Sequence, residues 1–165
     1  MFGRKNEESP ATAGSVADQR PRIMSLNEHD RAILAQHRFE ELGKLLRASG
    51  CAIQPDPKGL AVNFHTGEHM MVVQVDRLDP RRIKLMMIFN NAEGDIVKAR
   101  WACFEASSKQ FASKATVDEV GLGYTVTLSV GVYAEALHSF GDSLKAYVDD
   151  IIKLYGDFID LMILA

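Results

Sequence analysis

Within the stretch NFHTGEHMMV, His65, Glu68 and His69 spell H-x-x-E-H, the ligand-and-base pattern of an inverted zinc peptidase. In that chemistry two imidazoles hold the metal while the carboxylate handles the proton of its bound water. Histidines four apart can do this only when a helix sets them on one face. Here Gly67 separates them, and strand-like alternation flanks both sides, so the stretch reads as a hairpin with its tip near Thr66-Gly67. A two-residue loop there sets His65 against Glu68 and His69 against Phe64, with Val62 against Met71 and Leu60 against Val73. The pleat then sends the two histidines to opposite faces. A three-residue loop sets the histidines opposite each other but pairs Leu60 with Gln74, and Thr-Gly is not a favoured two-residue turn. Neither register supplies the helix, so the expectation is no metal, no cofactor and a turn in place of a site.

Other candidate chemistry is weaker. Gly121-Leu-Gly123 lacks the third glycine and the following helix of a dinucleotide loop. Cys103 sits mid-helix beside Trp101 and Phe104, the setting of a buried, inert thiol rather than a nucleophile. His29, His37 and His138 fall in helical stretches without companion ligands, and Asp149, Asp150 and Asp157 read as a solvated helix face. The chain is expected not to be an enzyme; a zinc-dependent hydrolase through His65, Glu68 and His69 is the alternative from another class.

The totals bound the remainder. A chain of 165 residues, 47% hydrophobic, suits one domain with an ordinary core. A net charge of −3 argues against nucleic acid as the main partner. The local cluster Arg77, Arg81, Arg82 and Lys84 is diluted by Asp76 and Asp79 and reads as a solvated loop. Two distant cysteines, Cys51 and Cys103, make no disulfide framework. Residues 1–24 are polar, without the apolar stretch of a signal peptide, and read as a disordered tail ahead of a single domain over 25–165. No apolar run spans a membrane. A cytoplasmic location is expected.

The elements that position these residues follow from pattern. Ser25-Leu-Asn-Glu28 has the form of a capping box, with a helix to about Ala48 whose stripe is Leu26, Ile33, Leu34, Leu42, Leu45 and Leu46. Pro55 to Gly59 is a turn, and Cys51 to Gln54 accommodates a short extra strand. Strands are expected over Leu60–His65, His69–Val75 and Ile83–Phe89, and a helix capped by Asp95 over Ile96–Gln110. Two more strands, Ala112–Val120 and Tyr124–Val132, precede a long helix from Leu137. On that helix Phe140, Leu144, Val148, Ile151, Tyr155, Phe158 and Met162 form one sustained stripe. The order is α-β-β-β-α-β-β-α, an α+β fold with helices packed on an antiparallel sheet.

Two surfaces carry the functional expectation. On the middle helix Val97, Trp101, Phe104, Ser108 and Phe111 form a stripe suited to packing on the sheet, and Ala99, Ala102, Cys103 and Ala106 form a small one. The small stripe fits either helix packing within the chain or the seam of a homodimer. On the sheet, Met70, Val72, Met86 and Ile88 share the parity opposite the core. They are either an apolar partner surface or a second face covered by the last helix, whose secondary stripe is Tyr147, Leu154 and Leu161.

From Ala99 to about Leu161 the chain resembles the YbjN family. It has a helix turning directly into a strand (FEASSKQFASKATVDE), a strand (YTVTLSVGV), then a long helix with spaced aromatics (ALHSFGDSLKAYVDDIIKLYGDF). The element order over residues 26–162 is similar to the fold of that family and of the class I type III secretion chaperones. The family often carries Asn where this helix has Phe104 or Glu105. The resemblance implies a small bacterial cytoplasmic protein, dimeric and without enzymatic activity, of a kind labelled regulators of sensory transduction. The chaperone cousins dimerise through the second helix and hold an extended client segment. By that resemblance Ala99, Ala102, Cys103 and Ala106 are the seam, and Met70, Val72, Met86 and Ile88 belong to the client surface. The functional expectation is a non-catalytic protein-interaction module, a homodimer binding a protein partner, without nucleic acid or membrane. Its nearer alternative is a dedicated secretion chaperone for an effector client.

Overall fold

The structure, a computed structural model, describes residues 26–91 and 94–164; the expected tail and Ser25 of the expected capping box lie outside them. Helix α1 (Glu28–Ala48) begins at Asn27, whose side chain accepts from the Asp30 amide at 2.8 Å, so Asn27 is the cap. The short strand β1 (Ile53–Asp56) is present and carries on through Pro55. Strands β2 (Ala61–Thr66), β3 (His69–Val75) and β4 (Arg82–Asn91) follow. Helix α2 (Ile96–Ser108) starts at Asp95, whose carboxylate accepts from the amides of Val97 and Lys98. Strands β5 (Ser113–Val120) and β6 (Gly123–Tyr133) and the long helix α3 (Leu137–Leu164) complete the order.

The strands form one antiparallel sheet in the order β1-β2-β3-β4-β6-β5. Alternation does the sorting: Val62, Phe64, Met71, Val73, Ile83, Leu85, Val126, Leu128 and Val130 are all buried on one face. All three described helices lie on that face. α1 covers β1 to β3, α3 covers β4 to β6 and touches both other helices, and α2 flanks α3 over the edge strand β5. Phe140, Leu144, Val148, Ile151, Leu154 and Phe158 anchor α3, each worth roughly 1.5–3 kcal/mol on burial. Among the described residues no helix lies on the opposite sheet face.

Both sheet edges are blunted. β1 is short and contains Pro55, which lacks an N–H to offer. At β5 the Ala115 amide donates to Ser107 Oγ on α2 at 2.8 Å, so the helix takes up a group the edge would otherwise present to a neighbour.

One polar residue sits on the core side of α1. Arg38 is 9% exposed. Its Nε donates to the Pro80 carbonyl at 3.2 Å, Nη1 donates to the Glu135 carbonyl at 3.1 Å, and Nη2 donates to the Ala134 carbonyl. One side chain thus joins α1 to the β3–β4 connection and to the β6–α3 junction. Burial pushes its pKa down, while Glu41, Glu135 and Asp79 pull it back toward the charged form. Arg38→Met keeps the stem but leaves three carbonyls without their donor. It is expected to cost about 3–5 kcal/mol in urea denaturation, with Arg38→Lys in between. A loss under about 1 kcal/mol contradicts this role.

Candidate functional site

The H-x-x-E-H stretch is a hairpin. Thr66 pairs with His69 and His65 with Met70, so the loop is Gly67-Glu68, one residue later than the expected tip. Gly67 has φ +58 and Glu68 is not in the left-handed region, the pattern of a type II′ turn with glycine first. Val62 therefore faces Val73 and Phe64 faces Met71. This differs by two residues from the expected two-residue-loop register, a slip that preserves every side chain's face. His65 is exposed on the helix-free face. His69 points to the helical side, where its ring meets Tyr155 edge-on at 5.4 Å. The sheet itself separates the two imidazoles. Among the described residues no group of three or more His, Cys, Asp or Glu side chains is placed to hold a metal.

On α2 the two stripes exchange the places assigned to them. Ala99, Ala102, Cys103 and Ala106 are 0–3% exposed, packed inside the chain against α3 and β5. They line a seam within the chain, between α2, α3 and β5. The large side chains face outward instead: Val97 is 70%, Trp101 44%, Phe104 70% and Phe111 102% exposed. The cause is proximity. β5 offers α2 the short inward side chains of Ser113 and Ala115, with Val117 beyond them, and the bond from Ala115 to Ser107 needs the helix backbone close. Small residues permit that approach and aromatic ones do not.

The helix-free sheet face divides in two. Its apolar half holds Met70, Val72, Met86 and Ile88. Val72 and Met86 are direct cross-strand partners, and Met70 and Ile88 reach a depression at the end of the sheet that His69, Phe89 and Tyr155 line from the helical side. Met70 and Ile88 are exposed, Val72 is half-buried, and Met86 is buried between its neighbours. The last helix does not cover them.

The other half is polar and concave, a hollow of about 580 Å³. Arg82 and Lys84 of β4, Lys114 of β5, and Gln74, Ser129 and Gly131 line it. The arginine cluster of the sequence splits here. Arg81 is bidentate to Asp79, at 3.0 and 3.1 Å, and reaches Glu135 at 3.4 Å. Its guanidinium holds the Asp79 carboxyl below the usual carboxylate range. Arg82 and Lys84 turn the other way, onto the open face. Lys114, Ser129 and Gly131 escaped the sequence reading because only the order β4-β6-β5 brings them beside Lys84.

No family model matches the chain, and no curated protein matches it. The structure is similar to the crystal structure of YbjN from E. coli, described as a proposed transcription regulator, with a TM-score of 0.60 and 10% sequence identity over 70% of this chain and 86% of that one. At that identity the likeness is one of fold. The chain has a YbjN-like fold, and none of its described helices is long and apolar enough to cross a membrane.

Burial raises the Cys103 thiol to about 11, while Cys51 is half-buried. At pH 8 the Cys103 thiolate is therefore scarce as well as sheltered. A thiol titration of native protein at that pH is expected to count Cys51 alone, with Cys103 appearing only on denaturation. Equal, rapid labelling of both contradicts the placement of α2's small stripe.

Proposed function

We propose that this protein is a non-catalytic interaction module of regulatory or chaperone kind, a homodimer that holds a protein partner on its sheet. The observation that carries this reading is the distribution of apolar surface. The described helices occupy one sheet face, and exposed large apolar side chains gather on two outer surfaces, Val97, Trp101 and Phe104 on α2 and Met70 and Ile88 on the sheet. The YbjN-like fold, and the regulator's role ascribed to that neighbour, support a regulatory rather than an enzymatic part. Two free cysteines support residence in a reducing compartment such as the cytoplasm.

The second copy sits on the outward face of α2. Trp101 and Phe104 on α2 and Phe111 just beyond its end, at roughly 150–250 Å² each and counted on both copies, supply at most on the order of 1,000 Å², the low end of specific interfaces. The protein partner takes the apolar half of the open sheet face, where Met70, Val72, Met86 and Ile88 offer an adaptable surface to an extended apolar segment.

Sedimentation equilibrium tests the first contact. Wild type is expected at twice its 18.3 kDa chain mass. Phe104→Asp is expected at the monomer mass with its circular dichroism unchanged, since Phe104 is exposed in the single chain. A monomeric wild type, or a dimer that survives Phe104→Asp, removes α2 as the seat. Ile88→Lys is expected to keep the dimer mass and to lose the partner that wild type retains on purification from its own cells. Retention of that partner counts against the sheet surface.

A further inference from the structure

We propose that the polar hollow of the open sheet face binds a compact, multiply charged anion of the diphosphate class. This goes beyond the protein-interaction reading and does not depend on it, because the hollow lies beside the apolar patch and shares none of its four residues.

Charge pairing is the first observation. Among the described residues four cations, Arg77, Arg82, Lys84 and Lys114, line the hollow against one carboxylate, Asp76. Lys84 has neutral cross-strand neighbours, Gln74 on one side and Gly131 on the other, and Lys114 faces Ser129. Among the described residues the side chains of Arg82, Lys84 and Lys114 make no hydrogen bond or ion pair. Arg77 joins them at the rim, with its guanidinium donating to the Lys58 carbonyl, which leaves its charge in place. The one acid among the described residues that line the hollow, Asp76, accepts the Leu78 and Asp79 amides through Oδ1. A chain of net charge −3 thus gathers four cations around one lining carboxylate in one concave place, with Asp79 within electrostatic reach of Arg82.

Size and lining select the ligand. Lys84 and Lys114 stand on strands two apart, so their Cα atoms are separated by about 10–12 Å, and both side chains can close on an anion between them. A single carboxylate leaves most of this charge unmatched, whereas two linked phosphoryl groups span the gap and offer oxygens to both lysines and to the Arg82 fork. Gln74 and Ser129 add neutral polar groups. Among the described residues no aromatic ring lines the hollow for a base to stack on, and the recognition belongs to the diphosphate itself. The floor is open because Gly131 has no side chain. A Cβ built there meets no atom within 4 Å, and its φ is not in the left-handed range. Gly131→Leu therefore fills the hollow without disturbing the sheet.

Isothermal titration with sodium pyrophosphate, at fixed ionic strength, tests the assignment. Wild type is expected to bind one equivalent, more weakly as salt rises. Gly131→Leu, and the double variant Lys84→Gln with Lys114→Gln, are each expected to bind at least about tenfold more weakly while melting like wild type. Arg100→Gln, a paired cation outside the hollow, is expected to bind as wild type does. ADP binding no tighter than pyrophosphate assigns a free diphosphate, and ADP binding tighter assigns a diphosphate ester. Absence of a saturable signal overturns the proposal, and so does undiminished binding by both hollow variants. A DNA duplex or acidic peptide that binds through these lysines where pyrophosphate does not overturns it as well.

Discussion

The buried guanidinium of Arg38 sets the frame in which everything else is placed. A charged group on the inner face of a helix is tolerated only when each donor has a partner, because desolvation costs more than a neutral contact returns. Its three acceptors belong to two connections far apart in sequence, Pro80 before β4 and Ala134-Glu135 between β6 and α3. The same connections are tied to each other, since the Ala134 amide donates to the Arg81 carbonyl at 2.8 Å. The entry to β4, the exit from β6 and the start of α3 are therefore fixed relative to α1 by one side chain. That in turn directs α3 back over β4 to β6, between the other two helices.

With α3 held in the middle of the helical layer, α2 is left at its margin. It has only two inward neighbours, α3 and the edge strand β5, and it contacts both through alanines and Cys103. Its third side faces solvent, which is where Val97, Trp101 and Phe104 stand. The sheet has the complementary asymmetry: with all three described helices on one face, the other keeps its apolar patch over β3 and β4 and its cationic hollow over β4 to β5. The apolar outer surfaces and the hollow are consequences of a one-sided packing, and no part of the described chain folds over them.

Pattern made most of the elements legible. Alternation over residues 124–132 and the stripe of α3 identify their elements and core faces directly, and Asp95 marks the start of α2. The short strand β1 was less plain, since Pro55 and Pro57 read as punctuation. Hydrophobic periodicity misdirected where a polar residue faces inward or large ones face outward. In α1 it favoured Ile33, which is exposed, and was blind to Arg38, which is buried. In α2 it points the large aromatic stripe at the core, whereas close approach to β5 puts the small residues there. The apolar half of the open face was legible by parity alone. The hollow was not, because Lys84 and Lys114 become neighbours only through a strand order in which β6 lies between β4 and β5.

The outward face of α2 bears most of the functional account, and the chain carries one tryptophan, Trp101, at its centre. Its fluorescence reads that surface without any substitution. The account predicts a blue-shifted emission protected from acrylamide at concentrations where two copies associate, moving to the red on dilution. A red, freely quenched indole at every concentration would contradict it, since the aromatic face of α2 would then have no second copy seated on it.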